Sequence, residues 1–349
     1  MDDKKSVFCN ALVVEEVRMT ESLVTIVVVP RERFSAARQS LDSIYEHTEQ
    51  PFALVYVDGG SPPDVRLYLE EQAKNRSFEL VQFEEYLPPN RARNAGLARV
   101  QSKYVVFMDN DVIVAPGWLN ALVECAEKTG AAVVSPLTCI GQPLHRIIHC
   151  AGGEAHIATT GSQGSAQRRA HEKIYLANRT VDEVRSRLRR EPTELAEFHC
   201  VLVRTDIFER IGQLDEAMLN TREHIDFSMM VSQSGGTVYF EPDSVVTYLP
   251  GPPLQWQDIH FYMLRWSDAW EWSSLQHFRQ KWNLTEDEFF KNRYKRLGWR
   301  RRMTLIRPWA RKFSLLGKPF SIVIEQVLLR LDRPLNWWLT RRYAARSQG

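Results

Sequence analysis

The chain has 349 residues, 45 Lys and Arg against 43 Asp and Glu, and 44% hydrophobic residues. This length suits one large α/β domain with an appendage, or two domains, and the ordinary composition excludes fibrous, disordered and disulfide-stapled classes. The net charge of +2 hides a split: residues 291–349 hold 16 Lys and Arg against only Glu325 and Asp332, which leaves the rest of the chain near −12. An acidic body with a basic tail argues against a nucleic-acid partner. The five cysteines (Cys9, Cys125, Cys139, Cys150, Cys200) form no C-x-x-C pair, so neither a zinc site nor a disulfide framework is expected. MDDKKSVFCN lacks the apolar core of a secretory leader, and no run approaches the roughly 18 apolar residues of a spanning helix. A cytoplasmic location is expected.

Leu23–Val29 is a nearly continuous β-branched run, the pattern of a strand buried on both faces. Phe34, Ala37, Leu41, Ile44 and Tyr45 then fall at helical spacing. A strand over 52–57 follows, ending in Asp58-Gly59-Gly60-Ser61. Next come a helix over 62–75, a strand over 78–83, a short helix over 90–100 and a strand over 104–108. Strand and helix alternating at short intervals mean βαβ units and a mostly parallel sheet. A helix over 118–129 and strands over 131–135, 198–204 and 237–240 continue the pattern, with helices over 205–211 and 223–234. Residues 141–190 read as irregular, with a charged helical tract over 181–190; so long a structureless stretch is usually functional.

In an open α/β sheet, ligands bind beyond the carboxyl ends of the strands. Asp109-Asn110-Asp111 stands at such an end. Two carboxylates two residues apart can share a hard divalent cation that also takes phosphate oxygens. This suggests transfer of a group from a nucleotide diphosphate. Asp and Asn also cap helices and make turns, so the motif alone is weak. Pro30-Arg31-Glu32-Arg33 and Asp58-Gly59-Gly60-Ser61 follow two other strands, and Asn90-Arg91-Ala92-Arg93 opens a helix, a natural diphosphate neighbour.

The order of these pieces resembles the family 2 glycosyltransferases of GT-A fold. The matching segments are VVVP (27–30), VYVDGGSPP (55–63), RARNAGLA (91–98), VVFMDNDV (105–112), VLVRTDIFERIGQLDE (201–216), REHIDFSMMVSQSGG (222–236) and VYFEPDSVV (238–246). The resemblance implies a GT-A-type domain over 22–250, an α/β fold with a mostly parallel central sheet flanked by helices. Residues 251–349 form a helical, aromatic and basic extension. It implies an inverting glycosyltransferase of hexosyltransferase type, with a nucleotide-sugar donor, a UDP-sugar, and a glycan or lipid-linked acceptor. Asp58 would bond the base, with the loop from Pro30 to Glu32 completing its pocket. Arg93 would approach the diphosphate, Asp109 the ribose or sugar, and Asp111, with Asp109, would hold Mn²⁺ or Mg²⁺.

Inversion needs a general base. The family carries E-D-x-D at a helix start, and this chain has Glu223-His224-Ile225-Asp226. The family's usual base position is His224; Glu223, His224 and Asp226 all stay open as the base, with Glu223 favoured. A second departure is Tyr248, where many relatives place a metal-binding histidine; His260, downstream, is a substitute to consider. These departures keep a non-catalytic nucleotide-sugar scaffold open as the alternative. His145, His149, His156 and His171 match no metal spacing, while His149–Gly153 resembles a segment lining the sugar and acceptor cleft.

The extension holds Trp256, Trp266, Trp270, Trp272 and Trp282, better suited to covering a flank of the domain than to stacking on sugars. Beyond Lys291, basic clusters alternate with Trp299, Trp309, Trp337 and Trp338, and residues 319–331 carry a helical apolar stripe. That combination suits peripheral binding to an anionic membrane face.

Overall fold

The computed structural model describes residues 22–161, 166–251 and 254–346. The leader reading on residues 1–10, and Cys9, lie outside them. Strands β1 (Val24–Val29), β2 (Ala53–Gly59), β3 (Glu79–Phe83) and β4 (Tyr104–Asp109) alternate with helices α1 (Ala37–His47), α2 (Pro63–Arg76) and α3 (Pro89–Leu97). After β4 come β5 (Val112–Val114), α4 (Trp118–Thr129), β6 (Val133–Ile140) and β7 (Ile148–Cys150). The chain continues through β8 (Gly153–Thr160), β9 (Gln167–Ile174), α5 (Val181–Val184), β10 (Glu191–Thr193), β11 (Cys200–Arg204), α6 (Ile207–Ile211), α7 (Glu223–Gln233) and β12 (Val238–Tyr248).

The main sheet runs in the order β10-β12-β6-β11-β4-β1-β2-β3. Pairing is parallel across β3, β2, β1 and β4, and again between β6 and β12. β11 is antiparallel to both β4 and β6, so β3, β2, β1, β4, β6 and β12 all point the same way. The sheet is therefore mostly parallel, and Val–Ile–Leu runs fill its centre because helices cover both faces. One apolar cluster lies under α1, α2 and α4, a second under α3 and α7. Gly96 lets α3 lie against the sheet: a Cβ there would come within 2.3 Å of Val27 Cγ1.

Two sequence expectations need correction. Residues 141–190 are not irregular. β7 pairs with β6, and β8 and β9 form a separate two-stranded antiparallel sheet. β9 reads Gln-Arg-Arg-Ala-His-Glu-Lys-Ile, with polar residues on both faces, so it carries no apolar alternation to announce a strand. The turn residue Gly164, part of that reading, lies outside the described residues. The strand expected to end at Phe240 runs on to Tyr248, passing Pro242 where its register with β6 shifts. The apolar stripe over 319–331 belongs to a helix of 29 residues, Lys318–Arg346.

The extension packs on the sheet and its covering helices through α8 (Ile259–Arg265), α9 (Asp268–Lys281) and α10 (Glu288–Lys295). Trp266, Trp270 and Trp282 are buried, as core packing requires, while Trp256 and Trp272 are exposed. Beyond α10 lie α11 (Trp299–Arg301), α12 (Arg307–Lys312) and the long α13 (Lys318–Arg346). Cys125, Cys139, Cys150 and Cys200 are buried and unpaired. No helix of the described residues is long and apolar enough to cross a membrane.

Candidate active site

The parallel strands deliver three loops to one edge of the sheet. β1 pairs with β4 so that Val29 stands beside Asp109, and β1 pairs with β2 on its other side. The amide of Asn110 donates to Val29 O (2.9 Å). The Asn110 side chain then ties the loops together. Its Oδ1 accepts from the Arg31 amide (3.2 Å) and its Nδ2 donates to Arg33 O (2.9 Å).

Asp109 and Asp111 are both fully buried, in contrasting surroundings. Asp109 accepts from Arg93 Nη2 (3.0 Å) and Arg31 Nη1 (2.9 Å), and His199 Nδ1 lies 3.2 Å from it. Burial raises its pKa, but Arg31, His199 and Arg93 outweigh burial and hold the carboxyl well below its usual range. Asp111 has no hydrogen-bond partner on either oxygen. Burial and the neighbouring Asp109 charge push its pKa well up. Two orphaned carboxylate oxygens in a dry site are what a missing cation would satisfy. The residues present thus fit a divalent ion at Asp111.

The other sequence-derived residues fall as follows. Asp58 is buried at the end of β2; its Oδ1 accepts from the Ser61 amide (2.9 Å), and its Oδ2 has no hydrogen-bond partner, with Arg66 Nε 3.8 Å away. Burial raises its pKa. Pro30 is buried against Gly59. Glu32 has both oxygens engaged inside the protein, by Tyr248 Oη (2.9 Å) and Trp266 Nε1 (3.0 Å). Arg93 lies over the Phe198 ring at 4.0 Å and is committed to Asp109 and Asn90.

At the start of α7, Arg222 takes a left-handed φ of 71°. Glu223 is buried, with Oε1 3.2 Å from Arg265 Nη2 and Oε2 without a partner. Burial raises its pKa, but Arg265, His224 and Arg93 bring it below the usual value. His224 is more open, its side chain 18% exposed, and Nε2 faces Glu172 Oε1 at 3.4 Å and Glu197 Oε1 at 3.8 Å. Burial lowers its pKa, and the two carboxylates outweigh burial and raise it overall. Asp226 turns to the other side, accepting from Trp282 Nε1 (2.7 Å) and Lys281 Nζ (2.8 Å) on α9 and just beyond it.

His260 does not stand in for the missing histidine. Its Nδ1 lies 3.1 Å from Tyr86 Oη and its ring packs edge-on against that phenol. His199 stands nearer instead, stacked on Tyr248 with ring centroids 4.0 Å apart. Sequence reading passed over His199, Glu197, Glu172 and Arg265. The antiparallel pairing of β11 with β4 sets Cys200 opposite Met108, so His199 meets Asp109. Only the sheet order could reveal that neighbour. Glu172 arrives on β9, where it also binds Arg222 Nη1 (2.5 Å).

Known proteins resemble parts of this chain. An uncharacterized protein y4gI of Sinorhizobium fredii is 23% identical over 218 residues, 61% of this chain and 23% of that one. A pre-mycofactocin glycosyltransferase of Mycobacterium tuberculosis is 24% identical over 226 residues, 64% of this chain and 42% of that one. The matches thus span less than half the length of these curated relatives. Among solved structures, GalNAc-T7 with UDP, GalNAc and Mn²⁺ gives a TM-score of 0.49 at 16% identity, covering 79% of this chain and 56% of that one. The mannosyltransferase PcManGT of Pyrobaculum calidifontis, in complex with GDP-Man and Mn²⁺, gives 0.49 at 16%, covering 93% and 86%. The family model of glycosyl transferase family 2 matches residues 25–212, more than half of the chain, and the protein belongs to that family.

Proposed function

We propose that the protein is an inverting glycosyltransferase that moves a hexose from a UDP-sugar to a hydroxyl of a glycan or lipid-linked acceptor. The observation that carries this reading is the set of unpaired buried carboxylate oxygens at one sheet edge, both of Asp111 and Oδ2 of Asp58. Asp58 Oδ2 is an acceptor awaiting an N–H, which the uracil ring supplies. Asp111, with Asp109 beside it, would hold Mn²⁺ or Mg²⁺. Such an ion neutralises charge on a diphosphate leaving group. Arg31 and Arg93 keep Asp109 ionised and fixed.

His224 is assigned as the general base. It occupies the family's base position and is the most accessible of the three candidates at the start of α7. Glu197 and Glu172 stabilise the imidazolium that forms when it takes the acceptor proton, and they raise its pKa against the effect of burial. Glu223 is then an anchoring carboxylate, held by Arg265.

The test is transfer and donor hydrolysis with a panel of UDP-sugars and GDP-sugars, alongside calorimetry of the free diphosphates. Mn²⁺-dependent UDP binding with slow donor hydrolysis, lost in Asp111→Asn, supports the enzyme. Nucleotide binding with no turnover under any condition would sink the catalytic reading in favour of a nucleotide-sugar-binding scaffold.

A cytoplasmic, peripheral membrane location goes with this reading. α13 exposes Ile322, Val323, Val327, Leu331, Trp337 and Trp338 beside exposed Arg330, Arg333, Arg341 and Arg342. Apolar and basic residues on one surface helix suit an anionic bilayer face.

A further inference from the structure

We propose that His149, Glu197 and His199 form a second cation site, separate from Asp111, for a first-row transition-metal ion that favours nitrogen ligands. The three come from two distant parts of the chain. His149 is on β7, and Glu197 and His199 lie in the segment leading into β11. Their ligand atoms all lie within 4.8 Å of one another. Two imidazoles and one carboxylate are a donor set for Zn²⁺ and its neighbours, whereas Mg²⁺ prefers oxygen alone.

Ligands about 2.1 Å from a tetrahedral ion stand roughly 3.4 Å apart, so the trio has to close by about an ångström on binding. Side-chain torsions are enough for that. His149 is only partly buried and the Glu197 side chain is 10% exposed, which leaves a path for the ion and room for a fourth ligand. His199 is the fixed member. It is buried, stacked on Tyr248 and packed edge-on against His149, with ring centroids 5.1 Å apart. Its Nδ1 lies 3.2 Å from Asp109 Oδ2, an ion-pair contact short of a hydrogen bond. A carboxylate behind a ligating imidazole fixes the ring and raises its basicity, the usual outer-shell arrangement of metal histidines.

The surrounding charges are compatible with a cation. Arg31, His224 and Arg300 are the positive groups that act on His149, and Arg31 Nη1 is committed to Asp109. His224 Nε2 lies 3.8 Å from Glu197 and is shared with Glu172. The carboxylates of Asp109 and Glu172 are taken up by Arg31, Arg93 and Arg222, while Glu197, among the described residues, pairs only with His224, at 3.8 Å through one oxygen, and keeps the other for an ion. The site needs no nucleotide and depends on no assignment of donor.

The experiment is a titration of the full, untagged, metal-stripped chain with Co²⁺, followed by its visible d–d absorption, with Zn²⁺ as competitor and no nucleotide present. The expected result is the band of a nitrogen-containing, four- or five-coordinate site, displaced by Zn²⁺ and distinct from the weak absorption of an ion held by oxygens alone at Asp111. His149→Gln and Glu197→Gln should each weaken binding by about tenfold or more, taking outer-shell effects as the lower bound. Asp111→Asn, whatever it does to an ion held by oxygens, should keep this nitrogen-site band. His149 is partly exposed, so its variant is the one that keeps the fold, checked by circular dichroism. Absence of any band overturns the proposal. So does a band lost in Asp111→Asn and kept in His149→Gln.

Discussion

Asp109 and Asp111 stand two residues apart, yet the first has each oxygen paired with an arginine and the second has neither oxygen paired. A buried carboxylate without partners is a cost to the free protein, one relieved by a ligand. Asp111→Asn should therefore stabilise the metal-free chain by about 1 kcal/mol, a rise of a few degrees in melting temperature. The same change should abolish any Mn²⁺-induced shift with UDP. Asp109→Asn should do the reverse and destabilise by about 3–5 kcal/mol, because Arg31 and Arg93 lose a buried counter-charge. Thermal unfolding with and without Mn²⁺ reads all of these. A less stable Asp111→Asn would refute the strain argument.

The second prediction concerns pH. If His224 is the base, activity falls on acidification as the imidazole protonates, and the acid limb of kcat/KM reports its pKa. Glu172 raises that pKa. Glu172→Gln should therefore move the limb to lower pH, since the imidazolium loses a stabilising charge. His224→Ala should cost about 10²- to 10⁴-fold in kcat. An acid limb that stays put in Glu172→Gln but vanishes in Glu223→Gln would assign the base to Glu223.

Asp226 should behave as a packing residue. Removing its carboxylate in Asp226→Ala strands Trp282 Nε1 at the buried seam between α7 and α9 and leaves Lys281 to Asp215. A loss of about 1–3 kcal/mol is expected. The pH profile of the surviving enzyme should be that of the parent. Trp282→Phe, which removes the same hydrogen bond from the other side, should give a similar loss of melting temperature.

For the membrane reading, substitution is preferable to truncation. Arg301 is buried and pairs with Asp268 (2.8 Å) and Asp332 (2.7 Å), so deleting the tail would open the extension. Arg341→Glu with Arg342→Glu reverses charge at exposed positions. At about 1 kcal/mol per basic residue near the surface, the pair should weaken flotation with phosphatidylserine vesicles by well over tenfold. Phosphatidylcholine vesicles serve as the control. Unchanged flotation, or none by the parent chain, would remove the membrane from the picture.

Much of the sheet was legible because its strands are buried on both faces and announce themselves as β-branched runs. β1, β2 and β4 and the loops after them stood out in the sequence for that reason. The β8–β9 hairpin did not, since its strands are polar and its role is to carry Glu172 over α7. Asp58, Asp109 and Asp111 were readable because motif and strand end coincide. Glu197 and His199 were not, because their position depends on β11 running antiparallel beside β4. Local pattern does not encode which strand becomes a neighbour. The His–Glu–His cluster likewise has no spacing signature, since His149 is far from the other two in the chain.

Arg265 on α8 donates to Arg31 O (3.1 Å) and Glu223, and Asp258 accepts from the amides of Phe34 and Ser35 (2.8 and 3.1 Å). Both contacts run from beyond residue 250 back to the first loop of the sheet or to the start of α7. A fragment cut at that boundary, natural or engineered, would keep every motif by which the family is recognised and lose two of the clamps that hold the loop after β1 and the start of α7. Swapping the extension between relatives would therefore change how that edge of the sheet is tensioned.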